Sequence, residues 1–151
     1  MAPGDEREAR IIALGRERFG HCSAERLISG AGLAFLYMAL HGGEALTPAE
    51  VGARIVAGET AALEALEVFF QLLATVASDL ALTFAAFGGV YIGGGITPRY
   101  LDQLKTSGFR SRFEDKGRYR AFLGDIPTWV ITADQPALRG LAAFAEADSR
   151  S

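Results

Sequence analysis

The stretch that most restricts how this chain can fold lies in its middle. From Val68 to Phe87 the residues are almost continuously apolar. A helix that is apolar all round is either packed inside a protein or set across a membrane, and a membrane span needs about 20 such residues. Asp79 stands in the middle of this run, Gln71 and Ser78 add polarity, and no basic residue lies close to either end. An aspartate at the bilayer centre costs about 3 kcal/mol even on lenient insertion scales. A buried core helix, capped by Thr60 and running to about Ala86, is the better account. The rest of the chain then has to cover it.

The composition allows that. Half of the 151 residues are hydrophobic and 22% are charged, which suits one folded domain of ordinary size. Lysine and arginine total 15 against 18 acidic residues, for a net charge of -3. No basic stripe is present to neutralise a nucleic-acid backbone, so nucleic acid is not an expected partner. Cys22 is the single cysteine, which rules out an internal disulfide, and with two distant histidines it builds no metal cluster. The opening residues, Met1 to Arg7, hold no apolar core of a secretory signal. A reducing compartment follows, with the cytoplasm as the expected location and no membrane partner.

Start and stop signals divide the chain into elements. Asp5 and Glu8 resemble a capping box, and Ala9, Ile12, Ala13 and Phe19 recur near helical spacing before Gly20. They predict a helix over 6–19. Ser23 caps a short turn through Glu25 and Leu27, interrupted by Ser29-Gly30-Ala31-Gly32. A buried helix is expected over 33–40. Thr47-Pro48-Ala49-Glu50 opens another helix that ends near Gly58. After the long core helix the texture changes. Gly89-Val90-Tyr91-Ile92 reads as a buried strand, and Thr97-Pro98 starts a helix that stops at Gly108. The charged and aromatic stretch over 109–123 is expected to be helical. A second strand is predicted over 128–132, then a last helix after Asp134 and Pro136 that ends in a polar tail. The fold class is therefore α/β, a helix-rich block followed by a strand-helix-strand-helix unit with a parallel crossover. Two strands alone leave both sheet edges unpaired, so something should cover them.

Three groups of residues could carry chemistry. Gly93-Gly94-Gly95 follows a strand and precedes a helix, where bare backbone lets a ligand come close. A nucleotide is a plausible occupant there, and a tight packing turn is the alternative. No Gly-Lys-Ser/Thr follows, so it is no P-loop, and the dinucleotide spacing is also missing. Glu25, at the start of a helical turn, can accept two hydroxyl hydrogen bonds as sugar recognition requires. From spacing alone the favoured reading is a solvated glutamate paired with Arg26. Asp115, Lys116, Arg118 and Arg120 beside Phe109, Phe113 and Tyr119 read as a salt-bridged surface, with phosphate binding as the alternative. His21 has no carboxylate near in sequence to orient it as a base. No nucleophile-base set and no metal cage can be assembled, so no catalytic or metal-ligating residue is assigned.

Several ordered blocks resemble one family. The run from Gly88 to Arg99, Gly-Gly-Val-Tyr-Ile-Gly-Gly-Gly-Ile-Thr-Pro-Arg, looks like the signature of proteobacterial-type glucokinases. Ser107-Gly108-Phe109-Arg110 through Phe113-Glu114-Asp115-Lys116-Gly117-Arg118 is similar to that family's next block, and Asp125-Ile126-Pro127 also fits. Upstream, His21 to Arg26 and then Leu27 to Leu33 resemble its Ser-Ala-Glu-Arg and Ser-Gly-x-Gly-Leu segments. The resemblance implies an actin-like, hexokinase-like (ribonuclease H-like) ATPase fold of two α/β domains closing over sugar and ATP. It implies ATP-dependent phosphorylation of glucose to glucose 6-phosphate in glycolysis, with magnesium. By the same resemblance Glu25 matches the glutamate that binds sugar hydroxyls, and Gly93, Gly94 and Gly95 match the loop that lies against adenosine. Members commonly pair, which implies a homodimer.

The chain also departs from the family. Intact members carry an Asp-x-Gly-Gly-Thr phosphate loop, a catalytic aspartate and a Glu-Gly-Gly-His sugar motif, and none of these occurs here. The resemblance therefore covers the C-terminal portion. Residues 1–134 correspond to part of the large domain, and residues 135–151 to a C-terminal helix and tail that pack on the small domain. The expectation is a kinase part that is inactive without the N-terminal half. A non-catalytic sugar- or nucleotide-binding regulatory module remains the alternative.

Overall fold

In the computed structural model, which describes residues 2–148, local capping sets most element boundaries. Asp5 accepts from the Glu8 N–H to open α1 (Glu6–Phe19), and Gly20, at φ 73°, closes it. Ser23 accepts from Arg26 N–H at the head of α2 (Ala24–Leu27), and Ser29 from Gly32 N–H at the head of α3 (Gly30–His41). Thr47 and Glu50 form a reciprocal capping box on α4 (Pro48–Val56). The core helix α5 spans Thr60–Thr83. Strand β1 (Val90–Ile92) follows, then a 3-10 turn (Thr97–Tyr100) that runs into α6 (Leu101–Thr106). After α7 (Phe109–Glu114), a second 3-10 turn (Gly117–Tyr119) and α8 (Arg120–Gly124) comes β2 (Thr128–Val130). The last helix is α9 (Pro136–Asp148); the expected polar tail falls outside the described residues.

Four sequence expectations need correction. The Ser29–Gly32 segment does not interrupt a helix but begins one, so α3 starts at Gly30 rather than Leu33. Its glycine has a packing reason: a Cβ on Gly32 would come within 2.4 Å of the Leu27 carbonyl oxygen. Thr60 is not the cap of α5; Glu59 holds that position and makes no side-chain cap bond. The same helix stops at Thr83, before Ala86, although the sequence stays apolar. Ala85 turns to φ 48°, and the Ala86 N–H donates back to the Ala81 carbonyl, which closes the last turn. Finally, β1 is not a buried strand, because Tyr91 is 66% exposed.

Helix α5 packs against α3, α4 and α7. Phe70, Leu66 and Leu72 on it are fully covered, as are Leu36 of α3 and Phe113 of α7. By length and composition α5 could cross a membrane, yet 61% of its most apolar window is buried within the protein. Packing therefore accounts for its apolarity. Asp79 sits on the outer side, ion-paired to Lys116 at 2.6 Å. Arg120 pairs with Asp115 at 3.2 Å, so the charged cluster forms a salt-bridged surface.

The two strands pair in parallel, with Val90 opposite Thr128, Tyr91 opposite Trp129 and Ile92 opposite Val130. Ile92 points into the core, while Tyr91 and Trp129 stack on the outer face with ring centroids 4.8 Å apart. Residues alternate between faces along a strand. The outer aromatic face therefore follows directly from the register. α9 contributes no buried residue and shows Leu138, Leu141 and Phe144 to the outside.

Candidate functional site

Two glycine-bearing segments that are distant in sequence meet at one cleft. β1 delivers Gly93, Gly94 and Gly95 to its end, and the corner between α2 and α3 brings Ser29 and Gly30 against them. The cleft holds about 250 Å3. Ile28, Ile96, Phe69 and Leu73 make its apolar walls, the last two from α5. Gly94 has φ 115°, in the region that favours glycine. A Cβ on Gly94 or Gly95 would meet nothing within 4 Å. These glycines therefore leave open space in front of the backbone rather than packing tightly against a neighbour.

The corner that carries Ser29 and Gly30 is set by sequence-local bonds. The Ser29 hydroxyl oxygen accepts from Gly32 N–H at 3.1 Å, and the Ile28 N–H donates to the Ala24 carbonyl at 2.9 Å. Gly32 allows α3 to start directly against the end of α2. Glu25 is in the first turn of α2, four residues before Ser29, and is exposed. It does not pair with Arg26, whose guanidinium instead lies over the Phe19 ring, 5.0 Å from its centroid. Glu25 is not among the residues lining the glycine cleft, so the two candidate contacts do not share one cavity. Its carboxylate is open for hydroxyl groups.

No charged side chain lines the cleft. Among the described residues no three His, Cys, Asp or Glu side chains come together in a metal-holding arrangement. A magnesium ion is bound through one or two carboxylates with water and phosphate. The residues at this cleft do not fit it, and no step is derived through it. His21 is exposed at the surface. Burial pushes the Cys22 thiol up, against the pull of Arg16, so it is held as a thiol rather than a nucleophilic thiolate.

Of the residues singled out from sequence, Gly93–Gly95 line the cleft and Glu25 does not, while Ser29, Gly30, Phe69 and Leu73 were missed as cleft residues. Ser29-Gly30 did carry a signal, a small polar residue and a glycine at a helix start. Phe69 and Leu73 carried none, since nothing distinguishes them from the other apolar residues of α5.

The family model described as Glucokinase matches residues 1–148. The glucokinase of Chromobacterium violaceum is 53% identical over 149 residues, covering 95% of this chain and 43% of its own length. That of Yersinia pestis strain Pestoides F is 45% identical over 150 residues, covering 95% and 46%. The crystal structure of a glucokinase from an Antarctic psychrotroph superimposes with a TM-score of 0.86 at 34% identity, covering 94% of this chain and 46% of that one. The chain thus spans less than half the length of the curated relatives it matches.

Proposed function

The chain belongs to the glucokinase family, and on that premise we propose that it supplies part of the sugar and nucleotide sites of an ATP-dependent glucose kinase. In this reading residues 1–134 are the large-domain portion, and residues 135–151 pack on the small domain. Glu25 accepts hydrogen bonds from sugar hydroxyls, and Gly93, Gly94 and Gly95 let adenosine lie against bare backbone. The product is glucose 6-phosphate, the location is the cytoplasm, and the assembled enzyme is a homodimer.

The observation that carries the proposal is the cleft itself, in which Ser29-Gly30 and Gly93–Gly95 line one cavity. What this chain's residues can do there is bind and orient. Glu25 fixes the sugar by its hydroxyls, and the apolar walls exclude water from around the base. Phosphoryl transfer also needs a carboxylate to receive the hydroxyl proton, and fixed positive charge around the phosphates. The cleft residues supply neither, so transfer requires the family's phosphate loop and catalytic aspartate.

Calorimetry with glucose, combined with a coupled ADP-release assay, tests this. The expected result is glucose binding by the 151-residue chain, weakened about tenfold or more by Glu25→Ala. ADP release should be absent until the N-terminal portion of a related glucokinase is added. Phosphorylation by the 151-residue chain alone at about 1–100 turnovers per second, an ordinary kinase rate, would contradict the division of labour. Glucose affinity unchanged by Glu25→Ala would remove the sugar assignment.

A further inference from the structure

The glycine loop leaves the end of β1, yet little in the sheet itself fixes where that loop stands. β1 is three residues long, and β2 is its one hydrogen-bonded neighbour among the described residues. At the two ends of the ladder the Val90 N–H donates to the Pro127 carbonyl and the Ile131 N–H to the Ile92 carbonyl, each at 2.9 Å. A two-stranded pair is marginal alone and takes its position from what it is tied to. The tie comes from α7. Arg110 reaches the turn between α8 and β2, where Nη1 donates to the Ile126 carbonyl at 2.8 Å. Its Nη2 donates to the Leu123 and Gly124 carbonyls at 3.0 and 2.7 Å. The guanidinium is itself held, because Glu114 accepts from Nε at 2.6 Å and the Phe113 ring centroid lies 5.2 Å away.

We propose that Arg110 is a positioning residue for the cleft, holding the glycine loop in place opposite α5; only the ligand's identity rests on the adenosine reading given above. α7 packs against α5, and α5 carries the Phe69 and Leu73 wall of the cleft. Arg110 joins α7 to Ile126, and the carbonyl of the next residue, Pro127, holds the first residue of β1. Gly93 follows Ile92 directly, and a Cβ on it would lie 3.7 Å from the Ile131 side chain, just beyond β2. The loop therefore moves with β2, and β2 moves with Arg110. Charge alone would not achieve this. Three carbonyls on three residues call for a planar fork of donors, which arginine has and lysine lacks. Arg110 does not line the cleft, so it acts through the backbone that it grips.

The test compares Arg110→Met and Arg110→Lys in the 151-residue chain with Thr47→Ala, which weakens α4 instead. In amide exchange followed by NMR, Val90 and Ile131 should exchange about tenfold or more faster in Arg110→Met, beyond any change in the amides of α3. Acrylamide should also quench Trp129, the single tryptophan, more readily. Arg110→Lys keeps the charge without the fork and should recover only a small part of either loss; full recovery overturns the role of the fork. In calorimetry the Arg110→Met chain should bind adenosine about three- to tenfold more weakly and glucose as the wild type does. Thr47→Ala should leave adenosine affinity unchanged. If Arg110→Met folds poorly by circular dichroism, Arg110→Lys carries the same readouts. Val90 and Ile131 amides that keep their protection relative to α3 overturn the proposal. A loosened ladder with unchanged adenosine affinity overturns it too. A wild-type chain that binds no adenosine overturns the adenosine reading alone, and the two amides then decide whether Arg110 holds the loop.

Discussion

Glu8 shows how far a single side chain's role can depart from its local pattern. Its spacing from Asp5 resembles a capping box, and the Asp5 half of that box forms, with the Glu8 N–H donating to Asp5 at 2.7 Å. The Glu8 carboxylate does something else. One oxygen accepts from the Gly4 N–H at 2.5 Å and from the Arg112 guanidinium at 2.7 Å, with the side chain fully buried. Arg112 also donates to the Thr75 hydroxyl, at 2.9 Å. This pair ties α1 to α7 across α5. Removing one partner leaves an uncompensated buried charge, so Arg112→Ala should destabilise the chain by about 3–5 kcal/mol in urea unfolding. The double replacement Glu8→Leu with Arg112→Met should cost less than Arg112→Ala alone. A double variant that is the less stable of the two would show that the pair itself, and not the stranded carboxylate, matters.

At the scale of elements, α4 is the clearest case of a helix started by its own sequence. The Thr47 hydroxyl oxygen accepts from Glu50 N–H at 3.2 Å, and the Glu50 carboxylate accepts from Thr47 N–H at 2.8 Å. Thr47→Ala should therefore lower stability by about 1 kcal/mol. The Thr47 N–H, and then the Thr47 hydroxyl, hold the Glu50 carboxyl below its usual range. A carboxyl with a lowered folded value contributes fully above its unfolded value and loses that contribution as pH falls through the folded one. The stability gap between the wild type and Glu50→Gln should therefore narrow as urea melts are moved from neutral pH into the acid range. A gap that stays constant with pH would remove the ionised carboxylate from the account. The same local logic explains why α2 and α3 begin where they do, since Ser23 and Ser29 each close their own first turn.

For the whole molecule, the uneven distribution of burial is the main feature. The core runs through α3, α4, α5 and α7, whereas α9 buries nothing and the sheet shows a stacked Tyr91–Trp129 pair to the outside. Hydrophobic stabilisation scales with area removed from water. A helix of 13 residues is also marginal by itself. Deleting residues 135–151 should leave the melting midpoint of the remaining chain within about 2 °C of the full chain, whereas loss of about 1 kcal/mol shifts a domain of this size by about 4 °C. A fall of several degrees would mean that α9 stabilises this chain directly and would count against its assignment to the small domain.

Much of this protein is legible in its residues alone. The boundaries of α1 and the starts of α2 and α4 are written in Asp5, Ser23 and Thr47, because a capping side chain acts on a backbone amide two or three residues away. The parallel strand pair and the glycine loop were legible for the same reason, since β-prone runs, glycines and prolines act within a few residues. The meeting of Ser29-Gly30 with Gly93–Gly95, the selection of Phe69 and Leu73 as cleft walls and the burial of Glu8 were not. Each depends on which distant surfaces come into contact when α5 is covered. That choice is made by packing over the whole core, where one apolar side chain is locally indistinguishable from the next and only tertiary structure decides which face each one meets.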